Sequence, residues 1–420
     1  MEILEQISFV DTWQEFLLYK IEKQHLSVSE QRMLEEYMEQ EKYIPLLAAI
    51  KKQDYVLPIP MKKEINKEGV SKKRVVYSYP SDFNILLKII AFSLYKYDNM
   101  FADNCYAFRR SYGVRDAIRR IRSTGRISEK YCLKVDISNY FNSIHVPMLL
   151  EKLAFLKKED NSLYQLFENL LTADKAVVKK GKKIEPSNSK GNENEEWLEE
   201  IITEKRGAMA GTPISPFFAN VYLMDVDRYF EEEGVLYFRY SDDILIFADS
   251  LEELKSLQKQ LYHMIENHFL TLNPSKVQMS KPKETWEFLG FSYVNGRVDL
   301  SGNTKRKIKE KIKRKAHALR RWQAKKGLSG DKAAKGFIKA MNHKLFDNGE
   351  GTEFSWSRWF FPNLTTDAGL KEIDAYLQQY IRYCVTGRHY KGNYRISYEQ
   401  MKEWGYRNLV HEYYQNKYLI

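Results

Sequence analysis

Three carboxylates stand where a folded chain does not place acids without a reason. Asp136 ends the apolar run Tyr131–Ile137 (YCLKVDI), and Ser138, Asn139 and Tyr140 follow it. Asp242 and Asp243 lie inside VLYFRYSDDILIF, residues 235–247. Two β-type runs flank Ser241-Asp242 there, which predicts a hairpin with a very short turn, its tip presenting Tyr240, Ser241, Asp242 and Asp243. Adjacent carboxylates near a core repel each other and lose solvation. A divalent cation would remove that cost; the alternative is an exposed turn that uses Asp as turns commonly do. An acid at a strand end beside an acidic hairpin is what two-metal phosphoryl transfer requires. Carboxylates from separate strands hold two Mg²⁺ about 3.5–4 Å apart. One ion activates an attacking hydroxyl, and the other neutralises a triphosphate and its leaving pyrophosphate. Oxygen ligands select Mg²⁺, and no Cys/His cluster competes for zinc.

The pattern around these acids predicts the elements that carry them. Residues 1–56 read as helical, with a capping box at Ser27 and Glu30. Strands and turns follow through Pro58–Pro80, and Ile85–Phe101 reads as a buried helix. Residues 174–206, with KKGKK and SNSKGNENEE, read as a polar, mobile surface excursion. A chain 43% hydrophobic and 29% charged is not mainly disordered. No secretory signal is expected, since Met1–Val10 carries Glu2 and Glu5. The charge-free run Gly207–Met224 holds Pro213 and Pro216 and makes a poor membrane span. Three scattered cysteines, Cys105, Cys132 and Cys384, argue against a disulfide framework and fit a reducing cytoplasm.

Charge is concentrated. Lys305 to Lys326 holds twelve Lys/Arg and one acid, Glu310, so this window carries the whole net charge of +11. Ile308, Ile312, Ala316, Leu319 and Trp322 recur at helical spacing, which predicts one apolar stripe on an otherwise basic helix. Such a helix is either a solvated face or a polyanion-binding face. Nucleic acid suits it better than membrane, because a core would bury the stripe and the chain has 29 Tyr, 22 Phe and 7 Trp for stacking on bases.

Taken together, FRYSDD (238–243) and LKVDISNYFNSI (133–144) resemble the reverse transcriptase family. The likeness is to bacterial members: group II intron enzymes, retrons and the unknown-group, defence-associated enzymes. It continues in order from about residue 55 to 300. KKRVVYSYP with Arg74, Asn104-Cys105-Tyr106-Ala107-Phe108-Arg109, Gly211–Asn220 (GTPISPFFAN), Leu272–Lys276 (LNPSK) and Phe288–Phe291 (FLGF) are similar to its successive motifs.

The resemblance implies an α+β right-hand polymerase fold. Its fingers and palm would carry an antiparallel sheet with the YSDD hairpin, its thumb would be helical, and the N- and C-terminal extensions would also be helical. The implied segments are an extension at 1–56, fingers at 57–130, palm at 131–300, thumb at 301–345 and an aromatic-rich extension at 346–420. Asp136, Asp242 and Asp243 would be the catalytic acids and metal ligands, joined by the Ile137 carbonyl. Phe141 would be a steric gate that favours dNTP over NTP. Arg74, Gly211, Lys276 and either Lys62 or Lys63 would meet the nucleotide. The thumb would lay Lys305, Arg306, Lys309, Lys313, Arg314, Arg320 and Arg321 along an RNA–DNA hybrid.

Departures from the family's pattern are Ala210 where relatives carry Gln, Ser241 in the turn, and Asn142 where others carry an acid. Val385-Thr386-Gly387 matches a tripeptide of retron enzymes but lies too near the C-terminus to count. The aromatic C-terminal segment reads as packing, RNA-binding surface or subunit interface. The resemblance implies an RNA-directed DNA polymerase that copies a partner noncoding RNA into cDNA, in bacterial anti-phage defence. A template-independent polymerase and a non-catalytic RNA-binding scaffold are the alternatives; an RNA polymerase is disfavoured by Phe141.

Overall fold

The computed structural model describes residues 1–24, 26–66, 73–183, 196–346 and 355–417. The chain forms two compact units. The first comprises Met1–Lys20, Val28–Ala117 and Tyr131–Met279; the second comprises Ile21–Ser27, Ile118–Lys130 and Ser280–Ile420.

Helices open the chain as expected, at Val10–Gln24, Val28–Glu39 and Tyr43–Lys51. Trp13 is wholly buried and packs on Tyr43 with ring centroids 4.6 Å apart. The strands of this unit are β1 (Met61–Asn66), β2 (Lys73–Ser78), β3 (Tyr131–Asp136), β4 (Lys175–Lys183), β5 (Glu196–Thr203), β6 (Leu236–Tyr240), β7 (Asp243–Ala248) and β8 (Gln278–Ser280). They form two sheets, ordered β2-β1-β4-β5 and β6-β7-β3-β8.

The second sheet positions the acids. β3 and β7 run antiparallel with Asp136 opposite Asp243, and β6 pairs Tyr240 with the same Asp243. Leu133, Val135, Ile244 and Ile246 are fully buried within it. Such near-continuous apolar strands belong to a sheet covered on both faces. The helices used below are α1 (Ser81–Ser93), α2 (Tyr140–Ser143), α3 (Ser215–Tyr222), α4 (Met224–Glu232) and α5 (Leu251–Asn267). α5 packs on β3 and β7 through Leu254, Leu261 and Ile265. Ser250 caps it by accepting from the Glu253 N–H at 3.1 Å.

Two expectations need correcting here. The buried helix predicted at 85–101 begins four residues earlier, at Ser81, and tightens to a 3₁₀ helix over Leu94–Met100. The excursion predicted at 174–206 is in part ordered sheet. β4 and β5 pair antiparallel with Lys179 opposite Glu199, Lys180 forms an ion pair diagonally with Glu200, and β4 continues the β1 sheet in parallel at Met61–Val177. Opposite charges across the ladder stabilise strands whose composition reads as loop. Ile201 is 58% exposed, so this hairpin does lie at the surface. The SNSKGNENEE stretch falls outside the described residues.

The second unit carries β9 (Trp286–Phe288), β10 (Phe291–Val294) and β11 (Arg297–Leu300), an antiparallel meander. Its turn at Leu289-Gly290 places Trp286 on Tyr293 with centroids 4.1 Å apart. Three long helices follow: α6 (Gly302–Lys326), α7 (Gly330–Leu345) and α8 (Ala368–Thr386), which pack on one another. The predicted stripe of α6 is buried at Ile308, Ile312 and Ala316. Leu319 is half-buried beside Gly336 of α7, and Trp322 at the end of the stripe is 45% exposed.

Candidate active site

A cleft of about 490 Å³ lies in the first unit, lined by Ile65, Arg74, Val76, Phe108, Asp136, Ile137, Asn139, Phe141, Ala210, Gly211, Ser241 and Asp242, among others. Strand ends and tight turns build it. β3 stops at Asp136 because the next residues leave the ladder: the Ile137 N–H donates to the Asp242 carbonyl at 2.9 Å, and the Asn273 N–H donates to the Asp136 carbonyl at 2.8 Å. The Ser241-Asp242 turn joins β6 to β7 with Ser241 at φ 61°. Three non-glycine residues lining the cleft, Phe108, Asn139 and Ser241, have positive φ. Backbone held in that region is costly and gathers at functional sites.

Asp136 is 5% exposed. Burial raises the Asp242 carboxyl, and repulsion from Asp136 raises it further. Burial pushes Asp243 up to about 6, against the opposing pull of Lys134. The Lys276 ammonium is ion-paired with Asp136, so a residue expected near pyrophosphate meets the acid pair directly. Asp243 does not line the cleft. Among the described residues no three His, Cys, Asp or Glu side chains converge as a ready metal cage. The expected trio therefore separates into Asp136 and Asp242 facing the cleft and Asp243 beside them on β7. These two carboxylates, with Ile137 at the same edge, form an all-oxygen donor set that fits Mg²⁺.

The raised carboxyls set a pH dependence. A folded acid that keeps its proton to higher pH than the unfolded one contributes stability in acid, and that contribution is lost as pH rises through about 6. A cation that neutralises the ionised pair offsets the loss. The rise in melting temperature on adding Mg²⁺ is therefore expected to be larger at about pH 7.5 than at about pH 5. Thermal scans at the two pH values check this, and equal rises would mean that the ion does not meet these acids.

The β1–β2 hairpin supplies the basic side of the cleft. Its register pairs Lys63 with Val76 and Ile65 with Arg74, which puts all four on one face; Ile65, Arg74 and Val76 line the cleft, and Lys63 does not. Lys62 pairs with Tyr77 on the other face, and Glu204 holds it in an ion pair. The register thus separates Lys63, on the cleft face, from Lys62, which is engaged elsewhere. Asn142 ties this hairpin down. Its Nδ2 donates to the Val75 carbonyl at 3.1 Å, and its Oδ1 accepts from the Ala210 N–H at 2.8 Å. Where relatives carry an acid, an amide here bridges donor and acceptor at once. Gly211 sits at φ 99°, and a Cβ there would come within 3.0 Å of the Tyr77 carbonyl and Val76, so glycine is required.

Phe141 is half-buried on α2, between Tyr140 (centroids 5.7 Å) and Phe108 (6.0 Å), with its ring at the cleft. Beneath the hairpin lies a network that sequence reasoning missed. Arg239 is wholly buried, and its Nε donates to Asp227 Oδ1 at 2.7 Å. Its Nη1 donates to the Ser241 carbonyl at 3.3 Å and to Asn220 Oδ1 at 3.4 Å. The available signal was a charge between Phe238 and Tyr240 in a strand otherwise apolar.

The basic residues of α6 divide into two sets. Lys305 and Lys309 pair with Glu372 of α8 at 2.7 and 2.6 Å, and Arg320 Nη1 donates to the carbonyls of Cys384 and Val385 at 3.2 and 3.4 Å. These three serve the packing of α8. Gly387 ends α8 at φ 75° against Arg320, so the Val385-Thr386-Gly387 tripeptide acts here as a helix terminus. Arg306, Lys313, Arg314 and Arg321 lie exposed along another stripe.

The family model described as "Reverse transcriptase (RNA-dependent DNA polymerase)" matches residues 64–293, more than half of the chain. The chain belongs to the reverse transcriptase family. Its fold is accordingly the right-hand polymerase fold, with the YSDD hairpin on an antiparallel sheet and a helical segment after it. Among curated proteins it is 26% identical over 119 residues to the retron Ec86 reverse transcriptase of Escherichia coli, which covers 27% of this chain and 37% of that protein. The chain thus matches little more than a third of that relative's length. Two telomerase structures are similar at 14% identity. Apo telomerase from Candida tropicalis, truncated from its C-terminal domain, has TM-score 0.43 and covers 59% of this chain and 56% of its own. Telomerase from Candida albicans with a fragment of telomeric RNA has TM-score 0.40 and covers 88% and 68%. No helix among the described residues is long and apolar enough to cross a membrane.

Proposed function

We propose that the protein is an RNA-directed DNA polymerase that copies an RNA template into cDNA by two-metal-ion nucleotidyl transfer. The observation that carries this reading is the convergence of Asp136, Asp242, Arg74 and Phe141 on one cleft. Asp136 and Asp242, with the Ile137 carbonyl and Asp243 beside them, would hold two Mg²⁺ ions. When bound, the ions supply charge neutralisation for the attacking 3′-hydroxyl and the leaving pyrophosphate. Arg74 and Lys63 extend positive charge from the β1–β2 face toward a dNTP triphosphate, and Gly211 lets the backbone come close. Lys276, already at Asp136, is placed to meet the phosphates as they arrive. Residues 57–130 serve as fingers, 131–300 as palm and 301–345 as thumb, with extensions at 1–56 and 346–420. The exposed stripe of Arg306, Lys313, Arg314 and Arg321 tracks the backbone of the template–product hybrid.

Likeness to a retron enzyme supports a dedicated noncoding RNA as template. The resemblance to defence-associated enzymes supports a role against phage, and three buried free thiols fit a cytoplasmic setting. The test is labelled dNTP incorporation with Mg²⁺ by protein purified with its bound RNA, followed by sequencing of the product. DNA complementary to the co-purified RNA supports the reading, whereas simple sequence unrelated to it would make the enzyme template-independent.

Phe141→Ala is expected to raise ribonucleotide use relative to deoxyribonucleotide use by about tenfold or more, because the ring no longer crowds a 2′-hydroxyl. Single-nucleotide extension with matched dNTP and NTP measures it. An unchanged ratio would remove Phe141 from the gate.

A further inference from the structure

Phe108 is a large apolar side chain that the fold holds out of its core. It is 37% exposed, lines the cleft and sits at φ 60°. A bulky residue rarely adopts that conformation without being forced. The forcing is visible on both sides. Asn220 Nδ2 donates to the Ala107 carbonyl at 2.8 Å. The buried Arg109 guanidinium donates to the carbonyls of Ala102 at 2.8 Å, Cys105 at 3.1 Å and Asp98 at 2.9 Å. Just upstream, Asn104–Tyr106 is laced to β6: the Arg239 N–H donates to Asn104 at 2.9 Å, and the Tyr106 N–H donates to Arg239 at 3.0 Å. Phe108 is thereby held between fastened neighbours with its ring edge-on to Phe141 at 66° and tilted on Tyr240 at 6.4 Å. Strain and exposure are both unfavourable to the free protein, and both are retained at one residue in the cleft. That combination points to use by a bound molecule.

We infer that Phe108 is a specificity-positioning residue: its ring wedges Phe141 in place against the sugar of the incoming nucleotide and so sets the preference for deoxyribonucleotides. This rests on the polymerase reading. Phe141 touches Tyr140 on one side and Phe108 on the other. Removing Phe108 opens one side of that ring and lets it swing away from the sugar.

Phe108→Gly is the informative substitution, because glycine adopts φ 60° freely and removes the ring without adding backbone strain. It is expected to lower discrimination between dNTP and NTP about tenfold, both in single-nucleotide extension and in calorimetric binding of dATP and ATP to the protein with template–primer duplex and Ca²⁺. Phe108→Tyr keeps the ring and should restore the wild-type ratio. The Phe108→Gly/Phe141→Ala double variant should discriminate no less than Phe141→Ala alone, since both act through one ring. A loosened fold would slow both nucleotides alike and leave the ratio unmoved. Unchanged preference in Phe108→Gly, by binding or by extension, overturns the inference. Failure of the wild type to extend any primer overturns the polymerase reading instead, and the binding preference then still decides the role of Phe108.

Discussion

Asp242→Ala is expected to abolish nucleotide incorporation, by about a thousandfold or more, roughly 4 kcal/mol of barrier, while leaving RNA binding nearly intact. The two effects separate because they arise from different residues. Asp242 sits in the cleft beside Asp136, whereas the exposed basic stripe belongs to α6. Stability argues the same way. Burial and repulsion from Asp136 disfavour the charged form of Asp242 in the folded chain, so its removal relieves the metal-free protein. Asp242→Ala should therefore melt at the same temperature as the wild type or higher, and a dead enzyme could not be put down to misfolding. Asp243→Asn should be milder, since Asp243 does not line the cleft. Incorporation assays, filter binding and thermal scans on both variants check the set. Asp242→Ala activity within about tenfold of wild type, ~1.4 kcal/mol, would remove it from the metal-binding pair.

The acids were legible in the sequence for a physical reason: each terminates an apolar β-type run, and nothing but a turn or a ligand explains charge there. The hairpin register does not follow from the same runs, since Ile244, Leu245, Ile246 and Phe247 are all buried and neither face of the strand is polar enough to fix it. Other parts were hidden because their signal is relational. The choice between Lys62 and Lys63 depends on the β1–β2 register, which two short polar strands do not announce. The β4–β5 pairing depends on Lys and Glu facing one another across a ladder, and along the chain the same residues read as loop. Asn142 looks like a lost acid until the Val75 carbonyl and Ala210 N–H are seen on either side of it. The basic helix reads as one charged surface in sequence, yet Lys305 and Lys309 turn to a single acid, Glu372, more than sixty residues away.

The buried pair beneath the hairpin carries the second large effect. Asp227 and Arg239 side chains are 1% and 0% exposed. Asp227→Ala leaves the guanidinium in the core with neutral partners only, Asn220, Cys105 and the Ser241 carbonyl. Stranding a buried charge costs about 3–5 kcal/mol, so urea unfolding should show a loss of that size. The pair itself is not required for stability in the same degree. Replacing both members with apolar residues of similar volume, Asp227→Leu with Arg239→Met, removes the desolvated charges together and should recover most of the loss. Activity should not return with it, because methionine cannot donate to the Ser241 carbonyl and the turn that aims Asp242 loses its anchor from below. A double variant as active as the wild type would show that β6 and β7 alone hold the turn; one as unstable as Asp227→Ala would show that the network stabilises through hydrogen bonds that leucine and methionine cannot make.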